Sequence, residues 1–169
     1  MNPVLASWNE AAPQAALEAM LACCGARRWA AAMVAMRPIS SVGELSAAAD
    51  RIWSTMEEAD WMEAFACHPR IGQRKTAHAS KKSAAWSQQE QSSTATAAER
   101  VMAELEAGNA LYEQRFGFTY IVCATGKSVE EMLTILNARL RGDRISELRE
   151  AAEQQRQITQ IRLGKWLVE

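Results

Sequence analysis

The chain has 169 residues, 49% of them hydrophobic and 23% charged, with a formal net charge of -1. That length supports a hydrophobic core without disulfide or metal staples, and one domain over residues 1–169 is the expectation. The near-neutral balance excludes a global pull toward nucleic acid or anionic membrane, and no apolar run approaches the roughly 20 residues needed to span a bilayer.

Helical signals dominate from end to end, because glycine is scarce (8 residues) and alanine abundant. Around Pro13, the stretch from Asn9 to Cys24 carries Leu17, Met20, Leu21 and Cys24 at three-to-four spacing and stops at Gly25. A second helix is predicted over Arg28–Met36, ending before Pro38. A third opens near Ser41 or Gly43, with Leu45, Ala48, Ile52 and Met56 on one face. The fourth, about Glu58 to Cys67, is stopped by Pro69, which disfavours helical geometry in the residue before it. From Arg70 to Ala85 no apolar period exists, and a surface loop is expected. A short helix follows around Ser87–Gln91, then a long one from about Thr94 to Arg115, with Val101, Leu105 and Tyr112 inward.

The segment FGFTYIVCATG, Phe116 to Gly126, breaks the pattern by crowding aromatic and β-branched residues between glycines. It reads as irregular or extended and buried. Ser128 and Glu131 have capping-box spacing and open a helix to Arg141. The last helix runs from Asp143 to about Trp166, with Ile145, Leu148, Ala152, Ile158 and Ile161 as its expected core face. The fold class is therefore all-α, a single domain of seven or eight helices with one irregular buried segment at about 116–126.

Four cysteines (Cys23, Cys24, Cys67, Cys123) form no CxxC pair, which suggests neither a zinc site nor a disulfide framework. Reduced thiols in a cytoplasmic protein are the plain expectation. MNPVLASWNE lacks a signal-peptide pattern, and WLVE is not a peroxisomal address.

Four places could carry chemistry. His68 is one of only two histidines and sits between Cys67 and Pro69. It could simply be a helix-terminal histidine favoured by the macrodipole, or a proton-transfer group. Cys67 is expected to pack in the core, since helix neighbours point about 100° apart and adjacency makes no catalytic pair. In WSQQEQ, Ser87 and Glu90 could form a capping box, or with Gln91 present polar groups at a helix start suited to an anion. Phe116 and Phe118 could be core packing, or flank backbone groups left free for a ligand. Arg162 lies beside Ile158 and Ile161. It could snorkel to solvent or hold a carboxylate bidentately. The basic residues Arg70, Arg74, Lys75, Lys81 and Lys82 offer an alternative, a helical nucleic-acid-binding module, though no aromatics interleave them.

HPRIG (His68–Gly72), SQQEQ (Ser87–Gln91), NALYEQRFGFTYIV (Asn109–Val122) and the late IRL (Ile161–Leu163) occur together in an order and spacing that resembles one family. It is that of 2-oxo-4-hydroxy-4-carboxy-5-ureidoimidazoline (OHCU) decarboxylase. CCGARRWAAAMVAMRP, upstream, is similar too, so the likeness covers nearly the whole chain. The resemblance implies an all-helical carboxy-lyase acting on OHCU in urate breakdown to (S)-allantoin. It further implies no cofactor or metal, and a homodimer binding neither nucleic acid nor membrane. By position it implies His68 as the catalytic histidine, Glu90 as its acidic partner and Arg162 as the carboxylate-binding arginine. Pro69, Ser87 and Gln91 match pocket-lining positions, and the backbone around Ile121 and Val122 matches a ring-contacting stretch.

Overall fold

The computed structural model describes the backbone of residues 1–72 and 88–169 and the side chains of 1–72 and 97–169. Among the described residues there are eight helices and no strand. They are α1 (Pro3–Glu10), α2 (Pro13–Cys23), α3 (Arg27–Ala35), α4 (Val42–Trp53), α5 (Glu58–Ala66), α6 (Gln88–Phe116), α7 (Val129–Arg139) and α8 (Arg144–Trp166). The chain groups into two units. One comprises Met1–His68, Ile121–Cys123 and Ile145–Glu169, and the other Pro69–Tyr120 and Ala124–Arg144.

In the first unit, helix α1 is an element the apolar spacing did not announce. Asn2 caps it by accepting from Leu5 N–H at 3.1 Å, and the same side chain donates to the Leu167 carbonyl beyond α8 at 3.0 Å. At its other end Arg37 Nη1 donates to the carbonyls of Trp8 (2.7 Å) and Ala11 (2.8 Å), with the guanidinium over the Trp8 ring. A distant arginine thus satisfies carbonyls that a helix end leaves open. In α2 the buried positions are Ala16, Met20 and Cys23, whereas Leu17 and Leu21 are only half-buried. Helix α4 buries Leu45, Ala48 and Trp53. Met56 is buried just beyond its end.

Helix α5 delivers the chain to His68. It starts with a reciprocal capping box between Glu57 and Asp60. Its acidic face also finishes α3, whose own cap, Ala26, has no side chain to offer: Glu63 Oε1 accepts from Arg27 N–H at 2.6 Å. Asp60 adds a contact to Arg28 at 3.2 Å. The helix ends at Ala66, and tightened turns come next: Cys67 N–H to the Ala64 carbonyl and His68 N–H to that of Phe65. His68 therefore sits just past the helix, not as its last residue.

The second unit explains why two of the motifs belong together. Arg70 forms a two-pronged pair with Glu113, Nε to Oε1 at 2.7 Å and Nη2 to Oε2 at 2.6 Å. Buried Asn109 donates to the Ile71 carbonyl at 2.6 Å and to that of Leu105 at 2.9 Å. Gly72 adopts φ +83° against Leu105, a conformation that favours glycine. The tail of HPRIG is thus docked by the start of NALYEQRF. Tyr112, Phe116, Phe118 and Tyr120 cluster, with centroids 4.6 Å apart for Tyr112–Phe116 and 5.5 Å for Tyr112–Tyr120. The buried Arg139 guanidinium stacks on both tyrosines and donates to Tyr112 Oη at 3.1 Å.

Beyond α6 the chain runs without regular structure to Lys127, with Phe116, Phe118 and Tyr120 through Cys123 buried, as the composition of that segment led us to expect. The two helices predicted at Ser87–Gln91 and Thr94–Arg115 are one, α6. Ser128 accepts from Glu131 N–H at 3.1 Å and opens α7. Two expectations fail. Cys67 is exposed, not in the core. The core face of α8 is Leu148, Ala152, Gln155, Thr159 and Leu163, while Ile145 is 65% exposed and Ile158 and Ile161 are half-buried.

The close approach at Gly25 is testable. A methyl group there would lie 2.9 Å from Cys67 Cβ, backbone-anchored and unable to turn aside. Gly25→Ala is expected to lose about 1–3 kcal/mol by overpacking, read as a lower urea midpoint at unchanged m. An unchanged midpoint would refute the tight seat of the α5 terminus on this turn.

Candidate active site

The first unit gathers His68, Gln155, Thr159, Cys24, Cys23 and Arg162. Helix α8 supplies three of them at positions 155, 159 and 162, spacing that places them along one side of a helix. The C-terminal end of α2 supplies the cysteines, Cys23 as its last residue and Cys24 as its cap, and the stop at Pro69 presents the histidine.

His68 Nε2 lies 2.6 Å from Gln155 Oε1. Gln155 is completely buried, and its Nε2 donates to Thr159 Oγ1 at 3.1 Å. The Thr159 hydroxyl in turn donates to the Gln155 carbonyl one helical turn back, at 2.9 Å. His68 is half-buried. Burial holds its pKa below the ordinary 6.5, the Arg162 charge pushes it the same way, and the Gln155 contact opposes both. The imidazole is therefore neutral at pH 7, the form a general base needs.

The cysteines are not nucleophiles in this setting. Burial pushes the Cys23 thiol up to about 11 and raises that of Cys24 as well, although Arg162 lowers both. A thiol that stays protonated is inert. Exposed Cys67 contacts the Glu63 carbonyl at 3.5 Å and does not engage His68.

Arg162 is half-buried and makes no hydrogen bond or ion pair with any described residue. A guanidinium in that position beside a neutral imidazole can take an anion bidentately. Gln154, the residue before Gln155, accepts from Cys123 N–H through Oε1 at 2.8 Å, tying the buried segment Ile121–Cys123 to α8.

Of the residues singled out in the sequence, His68 and Arg162 come together. Ile121 and Val122 are buried in the same unit. Pro69 is exposed and belongs to the second unit, where α6 also carries Glu90 and Gln91. The side chains of Glu90 and Gln91, and Ser87 altogether, lie outside the described residues, as do Arg74, Lys75, Lys81 and Lys82. Arg70, the one described member of the basic set, is committed to Glu113. Sequence reasoning missed Gln155 and Thr159. Their signal was polar residues at i and i+4 interrupting the apolar face set by Leu148, Ala152 and Leu163.

Comparisons with known proteins bear on the family and the fold. The bifunctional uric acid degradation protein TTL of Arabidopsis thaliana is 36% identical over 144 residues, 85% of this chain. The chain spans only 44% of that protein's length. The 2-oxo-4-hydroxy-4-carboxy-5-ureidoimidazoline decarboxylase of Amia calva is 28% identical over 134 residues, covering 79% of this chain and 77% of that one. A crystal structure of OHCU decarboxylase in the presence of (S)-allantoin superposes with a TM-score of 0.69 at 32% identity, over 88% of this chain and 96% of that chain. A crystal structure of (S)-allantoin synthase shares the fold, with a TM-score of 0.70 at 17% identity over 96% of this chain and 53% of that chain. The OHCU decarboxylase family model matches residues 9–164, and the chain belongs to that family.

Proposed function

We propose that this chain decarboxylates OHCU to (S)-allantoin and CO2 in urate breakdown. The observation that carries the reading is a neutral imidazole, His68, electrostatically coupled to the Arg162 guanidinium, which has no hydrogen-bond or ion-pair partner among the described residues. The names of the relatives point to the same reaction, and none of them is a nucleic-acid-binding module.

The substrate's C4 carries a hydroxyl and the departing carboxylate, and its C5 belongs to a C=N bond. When the C4–carboxylate bond breaks, its electron pair forms C4=C5 and the imine π pair moves to nitrogen, which becomes N–H by taking a proton from water. The substrate supplies its own electron sink, so the protein has only to bind, orient and move protons. Arg162 holds the carboxylate. His68 takes the C4 hydroxyl proton as the enol becomes a carbonyl, and protonation of one face of C5 gives the (S) product. Glu90, the acidic residue of the set, accepts hydrogen bonds from ring and ureido N–H groups of the substrate. Pro69, Ser87 and Gln91 line the pocket, with the backbone of Ile121 and Val122 against the ring. These assignments rest on the motifs they belong to. The chain works as one catalytic domain and as a homodimer in the cytosol, where its four free cysteines stay reduced; light scattering of the purified protein tests the dimer.

The direct experiment generates OHCU enzymatically from urate, adds this protein, and follows CO2 loss with circular dichroism for (S)-allantoin. No acceleration over the spontaneous reaction overturns the reading. Removing the base by His68→Asn is expected to lower kcat by about 100-fold or more with helicity intact; turnover at the parent rate would sink the assignment of His68. Arg162→Ala should act mainly by raising KM, and an unchanged KM counts against a carboxylate clamp.

The pH profile provides a further test. The base must be neutral, and burial with Arg162 depresses its pKa, so the acid limb of kcat/KM should fall below pH 6.5. Arg162→Met removes one depressing charge and should move that limb upward. A limb that starts above 6.5, or that does not respond to Arg162→Met, contradicts the electrostatics described for the site.

A further inference from the structure

A neutral imidazole can carry its proton on either nitrogen, and only the bare nitrogen can act as a base. The resting geometry around His68 decides between them. Thr159 spends its one hydroxyl proton on the Gln155 carbonyl at 2.9 Å, so its oxygen offers lone pairs to the Gln155 amide. The group of that amide lying 3.1 Å away must then be the NH2 end. With its NH2 turned toward Thr159, Gln155 presents only its oxygen to His68, at 2.6 Å. An amide oxygen cannot donate, so the imidazole must. The opposite arrangement would require Thr159 to donate to the amide and abandon the Gln155 carbonyl, and would turn the amide NH2 toward a bare Nε2.

We propose that Gln155, itself oriented by Thr159, is a positioning residue that keeps the proton of His68 on Nε2 and leaves Nδ1 as the base. The inference rests on the reading of His68 as the base of OHCU decarboxylation. Gln155 and Thr159 do not touch the reacting atoms; they decide which nitrogen does.

The chain has two histidines, His68 and His78, so a 15N-histidine-labelled sample shows only two imidazoles. Long-range proton–nitrogen correlation on the resting protein, with His68→Asn to assign the signals, reads the tautomer without substrate. Wild-type protein is expected to show His68 in the Nε2–H form above its pKa. Thr159→Val keeps the shape but removes the acceptor for the amide, so Gln155 is free to turn. The Nδ1–H form should then appear and kcat should fall at least about tenfold with little change in KM. Thr159→Ser, which restores the hydroxyl, should recover both.

A wild-type His68 protonated on Nδ1 overturns the proposal with no variant needed. So does a folded Thr159→Val that keeps the Nε2–H form and the parent kcat. The two readings fail separately. An Nε2–H spectrum that responds to Thr159→Val, without OHCU turnover, rejects the decarboxylase reading and upholds the role of Gln155. Turnover with the proton on Nδ1 rejects the role of Gln155 alone.

Discussion

A buried amide has two donors and an acceptor to satisfy at once, and Gln155 is completely buried in the middle of α8. Thr159 satisfies a donor and His68 satisfies the acceptor. An unmet group there would cost about 1–3 kcal/mol, comparable with a large share of a domain's net stability. The amide therefore makes the histidine part of the core's polar accounting, although the histidine itself lies on a loop. Gln154, the next residue back, does the same for the backbone of Cys123 at 2.8 Å. Two consecutive glutamines, pointing apart on one helix, thus hold two different non-helical segments to it.

What brings His68 within reach of that amide is the way α5 stops. The helix is anchored by its acidic face, which completes α3 where Ala26 cannot, and it runs until Pro69 forbids continuation. Gly25 gives the final turn room to approach, with Cys67 seated against it. On the far side of the proline the chain enters the second unit, where Arg70 pairs with Glu113 and the Ile71 carbonyl meets Asn109. HPRIG is held on both sides of its proline, by different partners, and most of its residues serve placement instead of chemistry. Asn109 and Glu113 belong to NALYEQRF, so part of what made these two motifs recognisable together is that one docks the other.

Much of this was legible because helix stops and apolar crowding are local signals. Gly25, Pro38 and Pro69 follow helix ends closely, and the aromatic run after Phe116 is buried and irregular as its composition required. What failed was the assignment of faces. Ile145, Ile158 and Ile161 looked like the core of α8, yet a 23-residue helix with a mostly polar sequence can bury small and polar side chains instead. Gln155 and Thr159 escaped notice because single-residue polarity carries no knowledge of a partner 87 residues away. Cys67 read as core for the opposite reason: a thiol is usually buried, but the turn that exposes His68 exposes its neighbour too. Helix α1 escaped because its stability comes from Asn2 and from Arg37, not from its own periodicity. His68 and Arg162 stood out through family resemblance. The spacing alone left each with an ordinary structural reading.

The arrangement also couples binding to basicity. Arg162 depresses the pKa of His68 in the free protein, which keeps the imidazole neutral but makes it a weaker base. On the proposed reading a substrate carboxylate arrives at that guanidinium and offsets its charge, so the Arg162 share of the depression is relieved while the carboxylate is bound. Gln155 pulls in the same direction throughout, since an accepting amide oxygen favours the imidazolium that forms once the proton is taken. The surroundings are therefore complementary: burial, with Arg162, keeps His68 unprotonated while the site waits, and Gln155 stabilises the charge after transfer. Departure of CO2 removes the anion from Arg162 and restores its depressing charge, so the proton His68 then takes from the enol is held weakly and readily passed on. A catalytic histidine next to an arginine looks like electrostatic conflict in isolation. Paired with an anionic substrate that loses its charge in the reaction, the same juxtaposition resets the base for another turnover.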